Sequence, residues 1–254
     1  MPTQSRFLFY TIVTDKREKQ LYRQIGGLMI ESLLASGASD VMLFKNWSGR
    51  ISTALTVEEH FVPDRFDNVQ EICRLKYMAG EYIDGAKYHT VCYLDADTLV
   101  LRSLASWLNG SWDVLYASEA HMRMHSKYHS GYLSDDQMKS AKLRLGVNAG
   151  FFAVKGHCYN TLMTRWRKID ESQPFRLKLT AAGDQPAWNR LVCDLGEGAA
   201  PLPHGAVAYP TMGQPYPWTA DWDTRLVHFA GSPAAKKLAS MRDLWTEITK
   251  TGVM

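Results

Sequence analysis

Cysteine is scarce and unpatterned in this chain. Four occur in 254 residues, Cys73, Cys92, Cys158 and Cys193, and no two form a Cys-x-x-Cys pair. That excludes a disulfide scaffold and a zinc ribbon, and all four read as reduced packing residues in a reducing compartment. Long apolar runs are missing too, and nothing approaches the ~20 residues that cross a bilayer. The opening Met-Pro-Thr-Gln-Ser-Arg lacks the shape of a signal peptide, because Phe7–Val13 is short and runs straight into Thr14-Asp15-Lys16-Arg17-Glu18-Lys19. A cytosolic protein is expected, with at most a peripheral membrane contact. Neither sign of charge dominates. A net charge of +3 and a pI near 8.6 are too mild for a nucleic-acid partner, but suit an anionic small substrate or acidic lipid. Repeats and low-complexity linkers are absent. What remains is ordinary globular composition, 46% hydrophobic and 22% charged, in one expected domain spanning 1–254.

The apolar pattern alternates between strand and helix. Phe7–Val13 is the continuous run of a strand buried on both faces, and Thr14-Asp15 ends it. Leu21, Ile25, Leu28, Met29, Leu33 and Leu34 repeat at helical spacing over Glu18–Ser36, Gly37 supplies a C-cap, and Val41–Phe44 is a second strand. Strand, helix, strand predicts a right-handed βαβ unit and a parallel sheet. Lys45–Asp67 carries no clear period. A helix is expected from Asp67 or Asn68 to Ile83, then a third strand over Thr90–Leu94, a turn into a short helix over Leu99–Leu108, and a strand over Trp112–Ala117. Ser118–Ser140, rich in His, Met, Tyr and Ser, reads as a substrate loop. Within it His121, His125 and His129 fall at i, i+4, i+8, one helical face that can bind zinc, though without the glutamate of His-Glu-x-x-His. Val147–Val154 is a strand and Gly156–Asp170 a helix. Gly183-Asp184-Gln185-Pro186 opens a helix to about Val192, the acid and the proline both suiting a helix start. Pro201–Trp218 reads as an irregular wall, Arg225–Phe229 as a last strand, and Leu238, Met241, Leu244, Trp245 and Ile248 as the apolar side of a C-terminal helix.

The chemistry gathers at Tyr93-Leu-Asp95-Ala-Asp97-Thr-Leu-Val100. A buried strand does not carry two carboxylates at i and i+2 for packing, because unpaired buried charge is costly. If the strand ends at Leu94, both acids lie just past its carboxyl end, where open α/β sheets place ligands. Two hard oxygen donors there suit Mg2+ or Mn2+, the ions that carry phosphates.

Four separated pieces then line up: Tyr-Leu-Asp95-Ala96-Asp97, Asn148-Ala-Gly150-Phe-Phe, Gly183-Asp184-Gln185-Pro-Ala-Trp-Asn189 and Val-His228-Phe-Ala-Gly231. Their order and spacing resemble the glycogenin-like retaining glycosyltransferases of family 8, from about Phe7 to Lys237. The resemblance implies a GT-A fold, a Rossmann-like α/β/α sandwich on a mostly parallel mixed sheet, with a nucleotide-binding half over 1–100 and an acceptor and catalytic half over 101–254. It implies a UDP-sugar donor, glucose or galactose, and Mn2+, with Mg2+ the alternative. The acceptor would be a glycan, a lipid-linked sugar or a protein. Carried over residue by residue, Asp95, Asp97 and His228 are the metal ligands, with Asp95 and Ala96 also meeting the donor. Ile12, Thr14 and Asp15 match the uracil-binding segment, and Tyr22 supplies an aromatic for the base. Arg74 contacts the donor, a role that Arg65 or Lys76 can share, and Asn148 the sugar or acceptor region. Gly231 meets the nucleotide sugar, Lys236, or Lys237, lies at the phosphates, and Asp184 and Gln185 at the anomeric carbon. Two departures stand out. The family's phosphate-binding lysine lies closer to the histidine than Lys236 does here, and Thr180-Ala181-Ala182 replaces an acid that some members carry.

In this reading the metal and a C-terminal lysine neutralise charge growing on the departing diphosphate. Asp184 and Gln185 stabilise the oxocarbenium-like sugar, either through a covalent intermediate or beside a front-face attack. Two rivals fit parts of the sequence. Asp95-Ala-Asp97-Thr-Leu also resembles the first motif of haloacid-dehalogenase-type phosphatases, with Asp135-Asp136 or Asp184 as the late acids, although that motif normally opens the chain. The other is a nucleotide-sugar-binding protein without turnover. Lys236, Lys237, Arg242 and Lys250 on the last helix offer an anionic membrane contact, against the simpler reading that this helix packs on the domain.

Overall fold

The computed structural model describes residues 6–14, 20–51, 57–62, 69–126, 129–141, 144–172, 183–210 and 223–252. Asp15 and Arg65, both singled out above, lie outside them, as do residues 211–218 of the expected Pro201–Trp218 wall.

The chain is α/β with a mostly parallel mixed sheet. Strand β1 (Phe7–Val13) is followed by α1 (Leu21–Ala35), β2 (Asp40–Lys45) and β3 (Val57–Phe61). Next come α2 (Val69–Met78), β4 (Thr90–Leu94), β5 (Thr98–Val100) and the short α3 (Ala105–Leu108). Strand β6 (Val114–Arg123), α4 (Asp135–Ala141), β7 (Leu145–Lys155), α5 (Gly156–Glu171) and α6 (Gln185–Leu195) follow. The chain closes with β8 (Ala199–Pro201), β9 (Val207–Ala208), β10 (Leu226–His228) and α7 (Ala234–Thr251). Seven strands form one sheet in the order β3-β2-β1-β4-β7-β6-β8, and three form another, β5-β10-β9.

Two compact units share these elements, each assembled from separated stretches of chain. The unit of Phe7–Asp64, Tyr93–Asn109 and Pro203–Met254 holds the βαβ start. There β1 and β2 pair in parallel, Phe9 opposite Val41, and β3 continues in parallel beside β2. The continuous apolar face of β1 is buried, and Tyr10 packs on Phe44 and, with ring centres 5.0 Å apart, on Tyr93. Inside α1, the buried Ser32 hydroxyl donates to the Met29 carbonyl and accepts from the Val100 amide, tying helix to β5. Helix α7 buries Leu238, Met241, Leu244, Trp245 and Ile248 along one side and packs on α1.

The other unit comprises Met1–Arg6, Arg65–Cys92 and Gly110–Leu202. Its core is aromatic. Trp166 of α5 and Trp188 of α6 are fully buried with ring centres 4.6 Å apart, and Phe152 of β7 meets both at 5.4 and 4.7 Å. Strand β6 pairs antiparallel with β7 and parallel with β8. The β6–β7 register jumps between Tyr116 and Ala117, whose partners are Phe152 and Asn148. The skipped backbone around Ala149–Phe151 finds substitutes for ladder bonds. The Asn148 side-chain oxygen accepts from the Gly150 amide at 2.8 Å, and the Lys76 ammonium donates to the Ala149 backbone carbonyl at 2.9 Å. Bulges of this kind re-aim side chains beside functional sites.

Three expectations are corrected. The short helix expected within Leu99–Leu108 is α3, but it is preceded by a strand, Thr98–Val100, that pairs antiparallel with Leu226–His228 far along the chain. Strand β6 runs on to Arg123 and α4 begins at Asp135, so about half of the expected Ser118–Ser140 loop is strand or helix. For the same reason His121, His125 and His129 share no helical face: His121 lies on β6, His125 in the turn after it, and His129 beyond. No helix among the described residues is long and apolar enough to cross a membrane.

Candidate active site

Two groups of polar residues stand out, one in each unit. The first begins where β4 ends at Leu94. The chain turns through Asp95-Ala96-Asp97, closed by the Thr98 amide bonding the Asp95 carbonyl at 3.1 Å, and re-enters a sheet as β5. Pairing of β5 with β10 sets His228 opposite Thr98, and the Phe229 amide bonds the Asp97 carbonyl at 2.9 Å. That register delivers the imidazole to the acids. His228 Nε2 lies 3.2 Å from Asp97 and 3.5 Å from Asp95, and one donor atom from each of the three residues falls within 4.8 Å of the others. Tyr93 donates to the other oxygen of Asp95 at 2.6 Å.

Lys237, in the first turn of α7, donates to Asp97 at 2.5 Å, whereas Lys236 beside it is exposed. Burial pushes the Asp97 carboxyl up, but the His228 and Lys237 cations outweigh it and hold it well below the usual carboxylate range. Burial likewise pushes His228 and Lys237 down, and Asp97 above all holds both above their ordinary values. Tyr22 on α1 is half-buried and close enough to Lys237 to act on it electrostatically. Ile12 is buried next to the last residue of β1, Thr14 half-buried just past the strand, Ala96 buried between the acids, and Gly231 follows β10 with a left-handed φ of +78°.

Two carboxylates and an imidazole form a donor set that suits Mn2+ or a similar divalent ion. The set fits such an ion because its acids already face cationic partners. A metal there would take over from His228 and Lys237 as the counter-charge of Asp97. A second Asp, His and Cys group, Asp113, His157 and Cys158, lies at the start of α5 and is a poorer cation site. Asp113 and His157 are exposed, burial pushes the Cys158 thiol to about 11, and the positive end of a helix lies beneath it.

The second group surrounds the start of α6. Gly183 turns the chain with a φ of +55°, a conformation that side chains rarely adopt, and Asp184 stands at the N-cap position. The Asp184 side chain makes no cap bond. It pairs instead with Lys76 at 3.1 Å, both side chains more than nine-tenths buried. Gln185 reaches the other way, its amide nitrogen 3.1 Å from Glu119 and 2.8 Å from His129 Nε2. Asn148 donates to the same Glu119 oxygen at 2.8 Å. Burial pushes the Glu119 carboxyl up; His129 when its Nε2 carries a proton, and Asn148 and Gln185 in either state of that ring, outweigh it and bring it below the usual glutamate value. Asn189 bonds the backbone amide and carbonyl of Val147 and the backbone carbonyl of Gln185, fixing the first turn of α6 against β7.

Sequence reasoning named Asp184, Gln185, Asn148 and Lys76, named His129 only as a zinc ligand with His121 and His125, and missed Glu119. The signal for Glu119 was a single acid continuing the strand rhythm of Val114–Ala117. Asn148 spends both ends of its amide on protein groups. Arg74 bonds Asp170, which also accepts from Tyr77 and Tyr132. Asp135 and Asp136 are exposed on α4.

No family model and no curated protein matches the chain. Solved structures do. The galactosyltransferase LgtC, in complex with donor and acceptor sugar analogues, superposes with a TM-score of 0.63 at 15% identity, over 94% of this chain and 95% of LgtC. An active-site glutamine-to-glutamate mutant of LgtC gives 0.59 at 14% identity, over 93% and 95%. WbbM, a bifunctional glycosyltransferase in its apo form, gives 0.61 at 14% identity over 98% of this chain, which spans 52% of WbbM. The chain has a glycosyltransferase fold. Its α/β architecture and mostly parallel sheet match these GT-A-type structures, and at this identity the likeness speaks for fold alone.

Proposed function

We propose that this chain is a metal-dependent retaining hexosyltransferase that moves glucose or galactose from a UDP-sugar to a glycan, lipid-linked sugar or protein acceptor. The observation that carries the reading is the convergence of Asp95, Asp97 and His228, from two distant segments, into a cluster with Lys237 in which all but Asp95 are buried. Such a cluster would hold Mn2+ between the two acids and the imidazole. The bound ion would offset the negative charge of the diphosphate. Lys237 is the cationic side chain placed to follow that charge, and it takes the role expected of Lys236. Ile12, Thr14, Asp15 and Tyr22 are assigned to the base, and Ala96 and Gly231 to the close backbone approach at ribose and phosphate.

Transfer breaks the bond between the anomeric carbon and the β-phosphate oxygen, and its electron pair leaves with UDP. A new bond forms from the acceptor hydroxyl oxygen, which gives up its proton. Positive charge grows on the sugar ring meanwhile, and the Asp184 carboxylate and the Gln185 carbonyl dipole are the groups assigned to it. The LgtC mutant described as an active-site variant alters a glutamine, in keeping with that role for Gln185. Lys76 keeps Asp184 in place.

The test is thermal shift against a panel of nucleotide sugars with and without Mn2+, then UDP release on the donor that binds. A shift confined to UDP-hexoses that needs Mn2+ is expected, because a ligand specific for the folded state raises stability. UDP release should disappear in both Asp97→Ala and Asp184→Ala. Release that survives both substitutions refutes the assignment. A metal-dependent stabilisation without UDP release from any donor would favour a binding protein instead.

A further inference from the structure

Gln185 can meet a sugar in two ways, with its carbonyl oxygen or with its NH2 group, and its chemistry depends on which. The surrounding residues decide. Glu119 Oε1 lies 3.1 Å from the Gln185 nitrogen position and already accepts from Asn148 at 2.8 Å. A carboxylate has only acceptors. Turning the amide over would set oxygen against oxygen, so the NH2 must face Glu119. The second N–H of that NH2 points to His129 Nε2 at 2.8 Å. This nitrogen must then be an acceptor, which places the imidazole proton on Nδ1, donating to the Ser126 hydroxyl at 2.8 Å. The other contact of Nε2, 3.4 Å to Glu119, is the longer one and yields to it. Seating is tight. His129 is fully buried, and a Cβ on Gly146 would come within 2.5 Å of Nε2, so glycine on β7 is what admits the ring. With both N–H groups committed, the Gln185 carbonyl oxygen has no donor among the described residues.

We propose that Glu119 and His129 are positioning residues that lock the Gln185 amide, NH2 inward and carbonyl oxygen presented to the transferred sugar. The lock rests on the transfer reading above for its purpose, but not for its geometry. An oxygen held outward is the electron-rich end of the amide. It can accept from a sugar hydroxyl or sit against positive charge growing on the ring, and it needs no reorganisation to do so. Glu119 and His129 touch no substrate in this scheme. They act through Gln185, and Asn148 holds Glu119 in turn.

The test has two arms. In the first, the imidazole nitrogens of selectively 15N-labelled wild-type protein are read by NMR, with His129 assigned by the signal that His129→Gln removes. The expected result is a neutral ring with the proton on Nδ1 and Nε2 unprotonated. A proton on Nε2 overturns the lock. In the second, UDP release is followed in variants. Glu119→Gln can offer either end of its own amide and so frees Gln185 to turn; kcat is expected to fall about 10- to 100-fold while the donor KM stays within about twofold. His129→Leu should behave alike, and His129→Gln, whose carbonyl can replace Nε2 as acceptor, should restore most of the loss. Equal losses in His129→Gln and His129→Leu, or a loss carried by KM, would mark these residues as structural and refute the proposal. If wild-type protein releases no UDP from any donor, the transfer reading fails by itself, and the NMR arm still decides the orientation.

Discussion

Replacing Asp97 with asparagine keeps its shape and removes the charge that two buried cations answer. Asp97 is 8% exposed, accepts from Lys237 at 2.5 Å on one oxygen, and lies 3.2 Å from His228 through the other. In Asp97→Asn, Lys237 loses its close counter-charge while remaining 8% exposed. Removing one member of a buried pair costs about 3–5 kcal/mol. Asp95 also attracts both His228 and Lys237 and offsets part of the loss, so the lower end is expected, about 3 kcal/mol. For a chain of this length each kcal/mol lowers Tm by about 2–4 °C, giving a fall of roughly 6–12 °C. The assay is thermal unfolding of both proteins, first without metal and then with Mn2+. An ion at a hundred times its Kd stabilises a folded protein by about 2.7 kcal/mol. Wild-type protein should gain on that scale, and Asp97→Asn much less. A variant that melts with the wild type before metal is added refutes the claim that Asp97 anchors the cluster. Equal stabilisation of both by Mn2+ refutes the claim that it ligates the ion.

Three further outcomes are expected. Lys76→Met keeps the stem but strips the 3.1 Å partner of Asp184 and the bond to the Ala149 carbonyl; UDP release should fall at least tenfold and stability by about 3 kcal/mol, read by steady-state kinetics and urea unfolding. Glu119 is held below its unfolded value, so its contribution to stability is complete above about pH 4.3 and is lost as pH falls through the folded value. The stability gap between wild type and Glu119→Gln should therefore narrow in urea titrations as pH drops from 6 toward 3, and a constant gap would contradict the sign. Trp166→Ala empties the centre of the aromatic core and should cost about 3–5 kcal/mol in urea unfolding; less than about 1 kcal/mol would mean that Trp188 and Phe152 do not depend on it.

Elements whose partners lie close in sequence, or whose burial is complete, were legible. Strand β1 and β4 read as continuous apolar runs because both faces are covered, and α1, α5 and α7 showed one apolar side each. Short strands defined by distant partners were not. Thr98–Val100 is three residues long and owes its conformation to Leu226–His228. Val57–Phe61, reading Val-Glu-Glu-His-Phe, lacks the strand rhythm altogether. Its Glu59 pairs with Lys45 and accepts from the Ile51 amide, contacts that no local window contains.

The candidate site divides along the same line. Asp95 and Asp97 were visible because charge at the end of an apolar strand needs a reason, and that local anomaly was enough. The distant His228 was named through the resemblance, and the structure supplies its physical cause, a β5–β10 register that sets it opposite Thr98. Lys237 differs from Lys236 only in which side of α7 it occupies, and a helix rotates neighbouring positions by about 100°, so only the packed helix separates them. Glu119, and the link of His129 to Gln185, were hidden for a deeper reason. Each is ordinary where it stands in the sequence, and their meaning lies in the bulged β6–β7 pairing and in what a carboxylate and a single imidazole lone pair can accept. Motifs show where a reactive group is. Hydrogen-bond valence, counted atom by atom around that group, shows which way it faces, and for an amide with one electron-rich end the direction it faces is the chemistry.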